Sequence, residues 1–183
     1  MRVIGGEFRS RRLRGISGDA TRPTPDRLRE TLFDILQPRI ENSTFADAYA
    51  GTGAVGIEAL SRGARHAWFL ERDRTALVAI RENLASLGIA ARATVLPGPV
   101  LKNLSAVHAG IVFLDPPYPL ENEYPAALSL LAAAPPSLVI VQHSVRFQLA
   151  ESYAELHRTR QIKQGDNALS FYSPRMKPGF TGE

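Results

Sequence analysis

The octapeptide IVFLDPPY, residues 111–118, determines how the rest of this chain is interpreted. Three of its four apolar residues are β-branched or aromatic, which is typical of a strand buried on both faces. The strand must end at Asp115, because neither of the following prolines can donate a hydrogen bond to a neighbouring strand. In an open parallel sheet, ligands bind beyond the carboxyl ends of the strands. The pattern therefore predicts that the segment after this strand reaches a ligand.

Four residues of this segment are candidate catalytic residues: Asp115, Pro116, Pro117 and Tyr118. The prolines stiffen the backbone and so fix the direction of the preceding carbonyl groups. A carboxylate and a fixed carbonyl can accept hydrogen bonds from an amino group, and an aromatic ring can stack on a base. The segment thus predicts a site for a planar base that carries an amino group. Taken alone, the same four residues are also compatible with an ordinary turn.

A glycine turn, AGTG at residues 50–53, follows a predicted strand at 45–49 and precedes an apolar helix at 54–61. This order is the general nucleotide-binding arrangement, in which glycines admit a ligand and the helix N-terminus directs N–H groups at it. Glu71 lies twenty positions after Gly51, where an acid that binds a ribose is expected. The turn also satisfies the dinucleotide pattern, so a nicotinamide-dependent dehydrogenase is one interpretation. A glycine turn without any ligand is another.

Two features favour methyl transfer over hydride transfer. Asp47 stands four residues before Gly51, and a carboxylate there suits the ammonium group that S-adenosylmethionine has and NAD lacks. The base site after residue 114 has no use in hydride transfer. The preferred interpretation therefore places a methyl donor after the first strand and an amino-bearing base after the fourth, and it requires the two segments to meet.

Strands and helices alternate through residue 141, which predicts a right-handed, mostly parallel α/β sheet. Predicted strands cover residues 45–49, 66–71, 92–96, 110–114 and 138–141, with an antiparallel pair at 156–163 and 168–173. Predicted helices cover residues 24–38, 54–61, 74–87 and 124–133. The first helix should bury a leucine stripe and present Arg27 and Arg29 on its other face. Asn83 and His143 are interpreted as structural residues, not catalytic ones.

The net charge of +4 lies entirely in residues 1–40, which hold nine arginines against five acids. Arginines on a short glycine-turned segment favour a phosphate-binding arm. The candidate RNA-binding residues are Arg9, Arg11, Arg12, Arg22 and Arg27. Residues 1–20 are expected to form this basic arm, residues 21–175 the main domain, and residues 176–183 a flexible tail.

Composition argues against a metal-binding protein, a membrane protein and a secreted protein. The chain has no cysteine and only four histidines without ligand spacing, so no metal site is expected. It has no apolar run near 18 residues and no apolar leader, so neither a membrane span nor a signal peptide is expected. A cytoplasmic protein is the corresponding expectation.

Further segments extend the pattern: RVIGG at 2–6, TRPTPDRLRE at 21–30, and EALSRGA at 58–64. With the glycine turn and the Asp-Pro-Pro-Tyr segment, they resemble the RsmD-type 16S ribosomal RNA guanine-N2 methyltransferases over residues 2–173. The resemblance implies a Rossmann-like class I methyltransferase with a seven-stranded, mostly parallel sheet and a small N-terminal β-hairpin. It implies S-adenosyl-L-methionine as cofactor and 16S rRNA in an assembling 30S particle as substrate, with the enzyme a monomer.

The resemblance also implies a set of cofactor-binding residues. These are Thr24, Asp47, Tyr49, Ala50, Gly51, Thr52, Gly53, Glu71 and Arg72. The chain departs from the family pattern at three places. Residues 97–100 read Pro-Gly-Pro-Val where an acid near the cofactor adenine is common, Gln142 stands where a Glu is usual, and residues 48–49 are Ala-Tyr.

Two alternatives stay open at this point. The Asp-Pro-Pro-Tyr segment also suits methylation of adenine N6 in DNA, although 183 residues leave little room for a separate target-recognition domain. A non-catalytic RNA-binding factor with a vestigial cofactor fold is the other alternative. The intact tetrapeptide and Glu71 argue against it.

Overall fold

A computed structural model describes residues 1–16 and 26–175 of the chain. Their strands form a single sheet in the order β3-β2-β1-β4-β5-β8-β7-β6. The strands are β1 Thr44–Ala48, β2 His66–Glu71, β3 Ala93–Pro97, β4 Ile111–Leu114, β5 Leu138–Ser144, β6 Ser152–Tyr153, β7 Leu156–Gln164 and β8 Asn167–Pro174. The first five strands are parallel, and the last three join them in antiparallel pairs. The order reverses between β1 and β4, which is where open α/β sheets bind ligands.

Helices cover both faces of the sheet. They are α1 Asp26–Ile40, α2 Ala54–Ser61, α3 Arg74–Ser86, α4 Val100–Leu104 and α5 Glu123–Ala133. Apolar residues of α1 to α3 pack on one face, against side chains such as Phe45, Phe69 and Phe113. The apolar residues of α4 and α5 pack on the opposite face of the sheet, against Val112 and Val139. Because both faces are covered, the four residues of β4 are all apolar and buried, as the sequence predicted.

The sheet has eight strands and not the seven that were predicted. The additional strand is β6, a two-residue segment that pairs with the start of β7. Two residues cannot display the alternation by which a strand is recognised in a sequence. At the N-terminus, the predicted hairpin is an irregular one, with an isolated antiparallel bridge between Arg2 and Arg12.

Two helical features were also predicted incorrectly. Helix α1 continues through Pro38 to Ile40, whereas the prediction ended it at the proline. A proline in the last turn of a helix costs only the hydrogen bond of its own missing N–H, so the helix can continue past it. The continuation is favoured because Ile40 packs in the core, where it is 3% exposed. The five-residue helix α4 was missed, because it is too short to show a helical period.

Arg29 is fully buried, although it was expected on the exposed face of α1. It precedes Phe33 by four residues and Leu36 by seven, so it belongs to the buried stripe of the helix. Its Nη2 donates to the Arg2 carbonyl over 2.7 Å and to Asp26 over 3.0 Å. Arg29 therefore connects α1 to the N-terminal arm, residues 1–16, and does not contact solvent.

The N-terminal arm packs on α2 through two buried polar side chains. The carboxylate of Glu58 accepts hydrogen bonds from the amides of Ile4 and Gly5, each over 2.8 Å. The hydroxyl of Ser61 accepts from the Phe8 amide over 2.9 Å. These contacts fix the arm along α2. The division of the chain into an arm, a main domain and a tail remains a prediction.

His143 joins β5 to β8 in the buried interior. Its Nδ1 lies 2.8 Å from the Ser144 carbonyl, and its Nε2 lies 2.8 Å from the Ser170 hydroxyl. This pairing suits a neutral ring in which Nδ1 donates and Nε2 accepts. Burial lowers the pKa of His143 below its ordinary value of 6.5. The contacts agree with the predicted structural role of this residue.

Acidification should therefore destabilise the fold through His143. The folded state favours the neutral ring, so this stabilisation is complete above a pH of about 6.5 and is lost as the pH falls towards the lowered pKa. Urea unfolding at about pH 8 and about pH 5 should show a larger loss for the wild type than for His143→Gln. The lowered pKa of His66 acts in the same direction but is common to both proteins. Equal losses in the two proteins would contradict the prediction.

Among the described residues, no helix is both long and apolar enough to cross a membrane. Within the same ranges, no group of three or more His, Asp or Glu side chains could hold a metal ion.

Candidate active site at the carboxyl ends of β1 and β4

The glycine turn after β1 and the Asp-Pro-Pro-Tyr segment after β4 lie side by side. Ala48 pairs with Leu114 at the carboxyl ends of these parallel neighbours. One residue further on, the Asp115 amide donates to the Ala48 carbonyl over 3.4 Å. Both segments therefore open onto the same edge of the sheet, which is the juxtaposition that the methyl-transfer hypothesis required.

Positive φ angles shape the glycine turn. Gly51 and Gly53 have φ values of 55° and 78°, a left-handed conformation that glycine adopts without steric cost. The Gly53 amide donates to the Ala50 carbonyl over 2.7 Å and closes the turn before α2. A Cβ on Gly51 would meet no heavy atom within 4 Å, whereas one on Gly56 would lie 2.4 Å from the Phe69 ring. The turn thus leaves space for a ligand at Gly51 and is tightly packed where α2 meets β2.

Glu71, the last residue of β2, holds the turn from the neighbouring strand. Its carboxylate accepts hydrogen bonds from the amides of Gly51 over 2.8 Å, Arg72 over 2.7 Å and Asp73 over 2.8 Å. A carboxylate offers about four lone-pair sites, so capacity remains for a ligand hydroxyl. The carboxylate is therefore well placed for the ribose contact, which remains a prediction.

Asp47 lies inside β1 and is 2% exposed. It accepts a hydrogen bond from the Gly56 amide, in the first turn of α2, over 2.8 Å. Burial raises its pKa well above the usual value, the Gly56 hydrogen bond opposes this shift, and the carboxylates of Asp115 and Glu71 add to it. Asp47 therefore ties the strand to α2 in this structure. Its role as a partner for the cofactor ammonium group remains a prediction.

A cleft opens on the face of the sheet that α4 and α5 cover. It is lined by Tyr49, Arg72, Pro99, Val100, Leu101, Leu120 and Glu123. Tyr49 has a φ of 66°, which is uncommon for a residue other than glycine. Its hydroxyl donates to the Glu123 carboxylate over 2.5 Å. Burial and this neighbouring carboxylate raise the pKa of Tyr49. The hydrogen bond joins the end of β1 to the first residue of α5.

We expect Tyr49→Phe to lower the free energy of unfolding by about 1–2 kcal/mol, because a hydrogen bond to a charged group is lost. Urea denaturation measures this change. Tyr153→Phe is the matched control, since the Tyr153 hydroxyl accepts a longer, uncharged hydrogen bond of 3.1 Å from the exposed Ala150 backbone. The control should lose less stability than Tyr49→Phe. Equal losses would show that the Glu123 bond is energetically unimportant.

The Asp-Pro-Pro-Tyr segment leaves the sheet edge in an irregular conformation. Asp115 is partly buried, Pro116 is buried and Pro117 is exposed. A short 3-10 turn, Tyr118–Leu120, then leads into α5. The catalytic roles of these residues, including base stacking by Tyr118, remain predictions.

The predicted RNA-binding arginines that fall within the described residues are exposed. Arg9, Arg11 and Arg12 are solvent-accessible, as is Arg27 in the first turn of α1. Arg11 also donates to the Ser86 carbonyl over 3.4 Å. Two other predicted site residues fall outside the described ranges: Arg22 and Thr24.

Asn83 connects the arm to the glycine turn. Its Oδ1 accepts from the Arg14 amide over 2.7 Å, and its Nδ2 donates to the Arg14 and Thr52 carbonyls over 3.2 Å and 3.1 Å. This buried amide thus has the structural role predicted for it. The sequence analysis missed its partners, and it missed Glu123 entirely, because each contact joins residues more than 30 positions apart and has no local signal.

Comparisons with known proteins agree with this architecture. Ribosomal RNA small subunit methyltransferase D of Haemophilus influenzae is 40% identical over 136 residues, which cover 72% of this chain and 70% of that protein. The family described as Conserved hypothetical protein 95 matches residues 1–173. The chain belongs to this family, the RsmD family. The predicted family is confirmed.

Solved structures extend the match of this RsmD-family chain to three dimensions. The Escherichia coli protein yhhF aligns with a TM-score of 0.84 and 33% identity, covering 95% of this chain and 97% of that one. An RNA methyltransferase from Salinibacter ruber, solved with S-adenosyl-L-homocysteine, shares the fold at 16% identity, with a TM-score of 0.66 over 88% of this chain and 100% of that one. The fold is that of the class I methyltransferases, and the chain is an S-adenosylmethionine-dependent enzyme, as predicted.

The residues at the sheet edge fit this cofactor. The open side of Gly51, the spare capacity of Glu71 and the cleft beside Tyr49 offer the space and the acceptors that a nucleoside needs. When bound, S-adenosylmethionine supplies an electrophilic methyl group on a sulfonium centre.

Proposed function

We propose that this chain transfers a methyl group from S-adenosylmethionine to the exocyclic N2 amine of a guanine in 16S ribosomal RNA. The names of relatives from Haemophilus influenzae and Escherichia coli, both ribosomal RNA small subunit methyltransferase D, support this substrate class. The enzyme acts as a monomer in the cytoplasm, where the RNA is assembled into a 30S particle.

One observation carries the proposal. The register that pairs Ala48 with Leu114 brings the glycine turn and the Asp-Pro-Pro-Tyr segment to adjacent positions on one sheet edge. A donor and an acceptor held side by side react as parts of one complex, and such positioning can contribute about 7–11 kcal/mol to catalysis.

The cofactor is held by residues on both sides of β1. The backbone of Ala50, Thr52 and Gly53 lies against it, and Glu71 accepts from its ribose hydroxyls. Asp47, in β1 just before the turn, would pair with the ammonium group at the amino-acid end. The cleft lined by Tyr49, Arg72, Pro99 and Val100 would hold the adenine, with backbone groups there in place of the missing acid. Thr24, which lies outside the described residues, is proposed as a further cofactor-binding residue.

The target base is gripped by the segment after β4. Its amine donates to the Asp115 carboxylate and to the Pro116 carbonyl, whose direction the prolines fix. Tyr118 stacks on the ring of the base after it has left its helix. These two hydrogen bonds favour a pyramidal amine, in which the nitrogen lone pair is available for attack. Asp115 need not be a strong base, because the methylated ammonium product is itself very acidic.

The exposed arginines contact RNA backbone around the target. The Glu7 amide donates a hydrogen bond to the Ser61 carbonyl at the C-terminal end of α2. The part of the arm around Glu7 therefore lies one helix length from the glycine turn, which precedes α2. Eight residues of α-helix span about 12 Å. That distance suits phosphate groups flanking a flipped base, which Arg9, Arg11 and Arg12 can neutralise. Arg22 and Arg27 extend the same set.

The test is labelled-methyl transfer to 16S rRNA, to 30S particles that lack the modification, and to duplex DNA. Mass mapping of the product should find one N2-methylguanine in the ribosomal RNA and no methyladenine in the DNA. Methylation of adenine N6 in DNA, or no transfer to any of the three substrates, would overturn the proposal.

A further inference from the structure

Gln142 on β5 is a buried polar side chain with an unused hydrogen-bond acceptor. It is 7% exposed, and its Oε1 has no hydrogen-bond partner among the residues that the structure describes. Buried polar atoms in native proteins are nearly always paired, so each exception calls for an explanation. A donor group on a bound ligand would supply the missing partner.

The position of Gln142 is level with the candidate catalytic acid. Strand β5 runs beside β4, and Val141 pairs with Leu114. Gln142 and Asp115 are each the residue that follows this last pair, at which the two strands lie about 5 Å apart. Strand β5 extends three residues beyond Val141, to Ser144, so Gln142 is held by regular strand pairing with Leu169 of β8.

Gln142 lies on the face of the sheet that α1 covers. Ile140, two residues earlier in β5, packs in the cluster beneath α1, as does Phe113 of β4. Side chains two residues apart along a strand share a face. Asp115 is close enough to Asp47, on the same face of β1, to raise its pKa. Gln142 therefore flanks the Asp115 carboxylate on the side away from the cofactor turn.

We propose that Gln142 determines base specificity by accepting a hydrogen bond from N1–H of the target guanine. The inference rests on the proposed function. Guanine carries N1–H directly beside its N2 amine, whereas adenine has an unprotonated N1. A carbonyl oxygen beside Asp115 pairs with the first base and faces a lone pair on the second. A site built to hydrogen-bond one group rejects the analogue that lacks it.

The chain carries an amide at this position, where the family pattern usually has a Glu. Asp115 and Glu71 already lie close enough to Asp47 to influence it electrostatically. A further buried negative charge would be repelled by them and would become protonated. Gln142 provides a carbonyl acceptor without adding charge.

The experiment compares two bases at the nucleotide that mapping identifies. One RNA carries guanine there, and the other carries 2-aminopurine, which keeps the 2-amine but lacks N1–H. The wild type should prefer guanine by about 10- to 100-fold in kcat/KM, the range for one buried hydrogen bond. In Gln142→Leu the guanine rate should fall by about this factor and the 2-aminopurine rate should change little, so the preference approaches one. Gln142→Glu keeps an acceptor and should retain most of the preference.

Two controls separate specificity from damage to the fold. Gln164→Leu removes another buried, unpartnered Oε1, on β7 and two strands away from β5, and should leave the preference unchanged. S-adenosylhomocysteine affinity, measured by calorimetry, should be the same in Gln142→Leu and in the wild type.

A Gln142→Leu enzyme that retains the wild-type preference would overturn the inference. A variant that loses S-adenosylhomocysteine affinity but keeps the preference would also overturn it, and would assign Gln142 to the cofactor. Failure of the proposed function itself is visible separately, because the wild type would then yield no N2-methylguanine in the mapping.

Discussion

An Asp115→Ala variant is expected to bind S-adenosylmethionine with wild-type affinity and to lose methyl transfer by about 10²–10³-fold or more. The loss is of this size because removing one preorganised hydrogen-bonding group from a reacting centre typically costs about 3–4 kcal/mol of transition-state stabilisation. Cofactor binding should persist because the described contacts of the glycine turn run to Glu71 and Asn83. Single-turnover kinetics with ribosomal RNA and calorimetry with S-adenosylhomocysteine measure the two quantities.

Asp115→Asn and Asp166→Ala complete this experiment. The asparagine keeps one acceptor oxygen and should lose less activity than the alanine variant. Asp166 lies exposed in the turn between β7 and β8, so its replacement should leave the rate unchanged. If Asp115→Ala transferred methyl groups within a few-fold of the wild-type rate, Asp115 would not hold the amine.

The fold could be predicted where a local pattern fixes the structure. The bounds of α2, Ala54–Ser61, and of β2, His66–Glu71, agree with the prediction to the residue. Each of these elements is bounded by turn residues and by a change in the spacing of its hydrophobic residues. Both signals can be read directly from a single sequence. The juxtaposition of the glycine turn with Asp115 followed from the topology, because a right-handed α/β sheet leaves few strand orders.

The remainder depended on contacts that no local pattern carries. Arg29 belongs to the buried stripe of α1, but no local pattern shows that the Arg2 carbonyl of the arm accepts from its guanidinium. The hydrogen bond between Tyr49 and Glu123 spans 74 positions. The unpaired oxygen of Gln142 is a property of packing, since the sequence shows only that an amide stands at that position.

Glu58→Ala is expected to lower the free energy of unfolding by about 3–5 kcal/mol. Glu58 is fully buried, and it accepts from two amides of the arm and from the Arg62 side chain over 2.8 Å. It also lies 3.9 Å from the fully buried Arg29 guanidinium. Removing Glu58 leaves the buried Arg29 guanidinium with Asp26, whose side chain is largely exposed, as its acidic partner. Loss of a buried ionic partner is far more costly than loss of an exposed pair.

Urea unfolding of matched variants can isolate this cause. Glu82→Ala removes an acid that pairs with Arg14 of the same arm, but both side chains are about half exposed, so the loss should be below about 1 kcal/mol. Adding Arg29→Met to Glu58→Ala should recover part of the stability, because a buried cation is replaced by an apolar chain of similar length. Two results would contradict this explanation. One is that Glu58→Ala loses no more unfolding free energy than Glu82→Ala, and the other is that adding Arg29→Met lowers the stability of Glu58→Ala further. Either result would mean that the buried charge is not the reason that Glu58 is needed. A recovery would show that the buried charge of Arg29 accounts for part of the stability that Glu58→Ala loses.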